Sequence, residues 1–125
     1  MRTSKVIALA FIVAAPGLVS VSLARAASEC PKSGTLSGWG INSTGYFNVA
    51  SGASCLFPIR IAGMMKSSSI SQKPAHGTLK KLNISTYQYT AKAGYKGTDI
   101  FAVEVTGKSP TASGTSVITM NVTVQ

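Results

Sequence analysis

The sequence predicts an all-β domain, an antiparallel β-sandwich of seven to eight strands that follows a cleaved signal peptide. Three observations carry that prediction. Residues 74–106 read PAHGTLKKLNISTYQYTAKAGYKGTDIFAVEVT, three short β-type runs separated by turn chemistry at Ala75-His76-Gly77, 83–85 and 94–99. Strands that return at this spacing build the hairpins of a sandwich. Beyond residue 27 no segment has helical periodicity, and the apolar residues alternate between Gly, Ser and Thr punctuation. Two cysteines, Cys30 and Cys55, make an even count of the kind that closes a disulfide in an exported chain.

The chain begins with a secretory pattern. Arg2 and Lys5 open it, residues 6–21 are almost wholly apolar, and Ala24-Arg25-Ala26 puts small residues where a signal peptidase reads. The apolar run carries Pro16-Gly17 and falls short of the roughly 20 residues of a spanning helix. Cleavage is therefore expected after Ala26, leaving residues 27–125 as one exported domain, periplasmic or extracellular. Glu29 directly before Cys30 argues against lipid attachment there, since that processing wants a small residue. No second apolar stretch could insert the mature chain in a membrane. With Arg2, Lys5 and Arg25 removed, nine basic residues face Glu29, Asp99 and Glu104, a net charge of +6.

Strands are expected near 34–40, 45–49, 54–61, 69–73, 77–82, 86–90, 99–106 and 114–124. Their alternation assigns faces. Cys55, Phe57, Ile59 and Ile61 share one side, with Pro58 and Arg60 on the other. Tyr87 and Tyr89 point together, as do Phe101, Val103 and Val105, opposed by Ala102 and Glu104. In the last strand Ile118, Met120, Val122 and Val124 face inward and Thr119, Asn121 and Thr123 outward. Each row has the period of a half-buried strand. The corner 93–99 holds two glycines around Tyr95, whose ring is expected to lie over the sandwich end. Residues 108–114 form a Ser/Gly/Pro loop between the last two strands. A Cys30–Cys55 bridge would stabilise the fold by roughly 3 kcal/mol. A metal pair at those cysteines lacks further ligands.

The text from Pro74 onward resembles the C-terminal half of bacterial Ig-like, cadherin-like domains, the tandem modules of large surface proteins. The recurring positions are Pro74, His76, Gly77, Thr78, Tyr89, Thr90, Ala93, Gly94, Tyr95, Gly97, Thr98, Asp99 and Phe101, and the likeness covers residues 74–125. It implies a seven- or eight-stranded Ig-like sandwich. The acid-rich turn that binds calcium in such modules is replaced here by Arg60-Ile61-Ala62-Gly63-Met64-Met65-Lys66-Ser67, which has no carboxylate. Calcium needs several oxygen ligands, so that property does not carry over. A bacterial source would also leave the sequons at Asn42, Asn83 and Asn121 idle.

Chemistry-bearing residues are few. His76 is the single histidine. A nucleophilic triad would join it to a serine and Asp99, but no serine lies in a nucleophile elbow, and its place between Pro74 and Gly77 marks a turn residue. Met64, Met65 and His76 would suit copper(I), yet adjacent methionines on an extended segment point apart, so packing is expected. Of the acids, Asp99 fits a corner, capping backbone N–H groups, and Glu104 an outward strand position. Neither makes the paired carboxylates of a glycosidase. Trp39, in Ser37-Gly38-Trp39-Gly40, is expected in the core beside the disulfide.

These readings converge on an exported, non-enzymatic binding or structural module that needs no cofactor. Its partner would be an anionic envelope polymer or another protein. Lys73, Lys80, Lys81, Lys92 and Lys96 are the candidate contacts, and edge-strand protection is the competing role for such lysines. Nucleic acid is not expected, because the chain is exported and Tyr87 and Tyr89 belong to a core face. The alternative is a small periplasmic enzyme or soft-metal protein centred on His76.

Overall fold

The computed structural model describes residues 27–35 and 38–125, so residues 1–26, where a signal peptide is expected, lie outside the described residues. The alternating rows of the sequence become the inner faces of two sheets. Nine strands follow in order: β1 Ser28–Glu29, β2 Lys32–Thr35, β3 Ser43–Val49, β4 Ser54–Pro58, β5 Met64–Gln72, β6 Gly77–Asn83, β7 Thr86–Ala91, β8 Gly97–Lys108 and β9 Ser113–Val124. One sheet has the order β1-β4-β7-β6 and the other β2-β3-β9-β8-β5. Among the described residues there is no helix. The domain is an all-β, two-sheet sandwich.

Six strand neighbourhoods match the expected ones, and the differences have local causes. The stretch expected at 34–40 is strand only as far as Thr35, and Trp39-Gly40 forms a turn in which Gly40 has φ +83°. β5 begins at Met64, five residues before the expected position, because it is an edge strand with two register shifts and only Ser68 buried. Such a strand has no clean alternation to read. β1 is two residues long and lies parallel to β4. β3 also runs parallel to β9, so the sandwich is mixed rather than purely antiparallel. Alternation reports which face is buried and carries no strand direction.

The core is an aromatic knot surrounded by aliphatic rows. Phe101 is fully buried and lies 5.6 Å from Tyr89, 5.8 Å from Phe57 and 6.2 Å from Phe47, ring centre to ring centre. Val103, Val105, Ile118, Met120, Val122 and Val124 extend it along β8 and β9. Ile59 is buried as expected, whereas Ile61 lies past the end of β4 and is half-buried. Ala102 is on the outward side of β8 yet buried, its small side chain shielded between Thr119 and Gln72 on the flanking strands.

Polar side chains close the two ends and one edge. Ser116, buried, accepts the N–H groups of Gly40 and Ile41 at 2.9 and 3.2 Å and donates to the Gly38 carbonyl at 3.1 Å. That clasp seats Trp39 in the core, where its indole N–H donates to the Ala62 carbonyl at 3.0 Å. A side chain at Gly107 would stand 2.5 Å from the Trp39 ring, so only glycine fits beneath it. Ser68 on β5 joins the sheets: its hydroxyl donates to the Ile84 carbonyl and accepts from the Tyr87 hydroxyl at 2.9 Å.

Cys30 and Cys55 form the disulfide across 25 residues and hold the short β1 against β4. Reducing it is expected to lower the unfolding free energy by about 3 kcal/mol in the chain-entropy account. The single Trp39 is the reporter. Urea titrations followed by its emission should give a lower midpoint in dithiothreitol than in oxidised protein, with blue-shifted native emission in both. Coincident midpoints would remove the disulfide from the forces that hold the fold.

Candidate functional site

Three connections and the final residue meet at one end of the sandwich. The loop after β3 is tied to the chain end by Ser51 N–H on the Gln125 carbonyl at 2.9 Å. The corner between β5 and β6 carries Lys73, Pro74, Ala75 and His76. The corner between β7 and β8 carries Lys92, Ala93, Gly94, Tyr95 and Lys96. Backbone bonds fasten these segments: Lys92 N–H donates to the His76 carbonyl at 3.0 Å, and Gly94 N–H donates to the Ser51 hydroxyl at 2.8 Å.

Asp99 lies beneath them, only 6% exposed. Its Oδ1 accepts the N–H of Ala75 at 3.0 Å and of Ile100 at 2.9 Å. Its Oδ2 accepts the N–H of His76 at 3.1 Å and the Tyr89 hydroxyl at 2.7 Å. One carboxylate thus satisfies three backbone donors and a buried phenol, and it locks the turn of β5–β6 to the start of β8. Gly77 leaves the room: a Cβ there would stand 2.8 Å from the Tyr89 hydroxyl and 2.5 Å from the Thr90 carbonyl. The capping role read for Asp99 is therefore present, with a wider set of partners than its own corner supplies. Burial first, and then the hydrogen bond to Asp99, push the Tyr89 hydroxyl well above the usual tyrosine range.

Above the carboxylate, His76 and Tyr95 stack face to face, ring centres 4.0 Å apart and planes 2° from parallel. Tyr95 also donates its hydroxyl to the Thr98 carbonyl at 2.6 Å. The expected cover of the sandwich end by Tyr95 is there, and His76 completes it. The Asp99 carboxylate meets His76 at its backbone N–H, while the imidazole lies flat on Tyr95. That is not the ring-to-carboxylate geometry of a triad.

No family model matches the chain, and no curated protein does. Among solved structures, an endo-fucoidan hydrolase from glycoside hydrolase family 107 is similar over 68% of this chain, at 12% identity and a TM-score of 0.37. The chain spans 13% of that hydrolase. A likeness at that level carries no argument about chemistry.

The five candidate lysines separate into two groups. Lys73, Lys92 and Lys96 are exposed on the two corners that Asp99 joins, each within three residues of His76 or Tyr95. Lys80 and Lys81 lie along β6, an edge strand, and face opposite sides of it: Lys80 is in register with Gln88 on the outer face and Lys81 with buried Tyr87 on the inner face. The Lys81 ammonium donates to the Ser68 carbonyl at 2.7 Å, across to β5. It bridges the sheet edges there. At another edge, Glu29 holds Arg60 in a two-pronged contact, 2.8 and 3.1 Å, and Lys32 at 2.8 Å. The hydrogen bonds from Arg60 and then Lys32 push the Glu29 carboxyl down to about 2.

Two depressions flank these groups. One of about 440 Å³ lies beside the stacked pair, lined by Gly52, Ala75, Gly77, Ala93 and Lys92 among others. The other, about 210 Å³, is floored by Phe57, Ile118 and Met120, with Lys32 its charged group, already held by Glu29. Met64 is 65% exposed on β5, while His76 stands at the β5–β6 corner past the far end of that strand. The soft-metal trio of Met64, Met65 and His76 is therefore not assembled. Among the described residues no three His, Cys, Asp or Glu side chains cluster as a metal site.

Tyr89→Phe is expected to cost about 2 kcal/mol, the range for a buried hydrogen bond to a charged acceptor. Asp99→Ala should cost more, since it strands four donors. The raised Tyr89 value has a sign. The folded state keeps its proton longer than the unfolded chain, so this contribution is complete below about pH 10 and is lost as pH rises beyond it. Thermal unfolding between neutral and strongly alkaline pH should show a steeper decline for the parent than for Tyr89→Phe. Parallel declines would disconnect the phenol from stability.

Proposed function

We propose that this chain is an exported, non-enzymatic Ig-like binding module that contacts an anionic envelope polymer through its basic corner. The observation that carries the reading is the Asp99 lock. It fixes two loops against one another and so presents Lys73, Lys92 and Lys96 around the flat His76–Tyr95 pair. A rigid support matters because a binding surface that is already ordered loses less entropy on association. Charge distribution supports the same corner. Two of the three acids of the mature segment are engaged elsewhere or below the surface: Glu29 holds Arg60 and Lys32, and Asp99 is buried under its donors. The corner lysines therefore act in a field with little local opposition.

Export is supported by the leader pattern of residues 1–26 and by the disulfide, which fits an oxidising compartment. Among the described residues no helix is long and apolar enough to cross a membrane. The Ig-like reading is supported by strand order: β4-β7-β6 faces β3-β9-β8-β5, β3 runs parallel to β9, and the chain crosses between sheets after β1, β3, β4, β5 and β7.

The test is retention on an acidic polysaccharide such as alginate or heparin. The parent should bind at low salt and elute as salt rises, because exposed charge contacts are screened. Replacing Lys73, Lys92 and Lys96 together by Gln should remove most of the retention, about tenfold or more in affinity. Lys66→Gln with Lys108→Gln, at the opposite end, is the control, compared charge for charge with Lys92→Gln plus Lys96→Gln, and should retain binding. Equal losses in the two double variants would reduce the interaction to net charge and reject the corner.

A further inference from the structure

We propose that the outward face of β3, β9 and β8 binds a neutral polysaccharide, with the Tyr46 ring as the platform and flanking Asn and Thr side chains as hydrogen-bond partners. The surface is separate from the basic corner and does not rest on it. Strand register puts Tyr46, Asn121 and Ile100 in one row across the three strands, and Asn48, Thr123 and Thr98 in the next. The residues between them along each strand, Phe47, Val122 and Asp99, are buried on the inner side, so these two rows point to solvent. Tyr46 is 54% exposed and Ile100 36%. Strand spacing makes this patch roughly 10 Å across two strand intervals and about 7 Å between rows, a footprint suited to a short run of sugar rings.

Two features of the face select the ligand. The first is charge: these rows carry none, although the chain has twelve basic residues. Lysine is a common guard of edge strands; β3, β9 and β8 are inner strands of their sheet, and their uncharged rows offer an ionic polymer no local partner. A second copy of the same chain would bring two strongly cationic molecules together with little exposed apolar area to offset the repulsion. The second feature is hydrogen-bond type. Asn amides and Thr hydroxyls both donate and accept. A sugar hydroxyl also does both, so each group on the face can be matched. Phosphate and sulfate only accept, and an ammonium only donates, so either would use half of that capacity.

Tyr46 supplies the apolar part. A phenol ring presents a flat, electron-rich face and a polar tip, and the C–H face of a pyranose is its complement. Asn121 lies directly beside it in register, and its amide donates to the Gly45 carbonyl at 3.4 Å, which orients it along the row. Glu104 is outside the two rows, further along β8.

Affinity electrophoresis of the chain through gels containing dextran, glucomannan, xyloglucan or laminarin tests this. At least one polymer should retard the parent, and the retardation should persist at about 1 M salt, where charge contacts are screened out. Tyr46→Ala should lower affinity about tenfold or more, and Thr123→Val should weaken it, each with unchanged Trp39 emission as the folding check. Leu82→Ser, on the other sheet, should leave retardation unchanged. Absence of retardation by every polymer, retardation that Tyr46→Ala does not alter, or retardation abolished by salt would each overturn the proposal. So would a salt-resistant dimer in sedimentation that Tyr46→Ala disperses, since the face would then belong to a second copy. The lysine variants of the basic corner are read on acidic polymers, so failure of that corner and failure of this face give different results.

Discussion

A carboxylate withdrawn from water must find donors for both oxygens, and in this sandwich Asp99 finds four. An unpaired ion at that depth would cost several kcal/mol, so the geometry around it is tightly constrained. The turn between β5 and β6 has to present two consecutive N–H groups. Tyr89 on β7 has to point its hydroxyl at the same place. Gly77 has to lack a side chain for the two to meet. The turn text Pro74-Ala75-His76-Gly77 and the corner text Gly97-Thr98-Asp99 are then two halves of one device that joins the sheets at this end. The His76–Tyr95 stack and the corner lysines take their positions from it.

Legibility in the sequence follows the range of the interaction. Rows such as Ile118, Met120, Val122 and Val124 are readable because burial at every second residue is a local consequence of the pleat. Cys30 and Cys55 are readable because two cysteines have one pairing available. β5 is hard to read because an edge strand with two bulges carries no period. The clasp of Ser116 on residues 38–41 spans more than seventy positions and uses a side chain that resembles every other serine in the chain. The same is true of Ser68 and of Lys81, whose charge reads as surface until its contact with the Ser68 carbonyl is known. In the candidate site, Asp99 was legible as a cap and Tyr95 as a cover. The stacking of His76 on Tyr95 was not, since it depends on how two distant corners dock.

The same clasps explain how a domain of this size closes its ends. Hydrophobic rows bring two sheets together but leave their relative slide weakly defined, because side chains of similar size can mesh in more than one register. Directional bonds remove that freedom. Ser116 and Trp39 fix one end, Ser68 with Tyr87 and Lys81 one edge, and Asp99 the other end. Each joins elements far apart in sequence, and each buries a polar group that is satisfied only in one arrangement.

The division of acids has a consequence for the surface. With three acids in the chain, every carboxylate committed to structure subtracts from the local opposition to lysine. Glu29 is committed to Arg60 and Lys32, so the pull of those two cations on a distant anion is largely cancelled where they stand. Asp99 is committed below the basic corner, and there its charge is answered by backbone dipoles and a phenol rather than by an ammonium. Among the described residues no carboxylate pairs with the corner lysines, while the support beneath them is made rigid by the very group that would otherwise neutralise them. Placing an acid at that corner's surface in place of the buried one would reverse both effects together, loosening the loops and cancelling the field. The burial of Asp99 is thus the physical link between the stability of this end and the character of the surface above it.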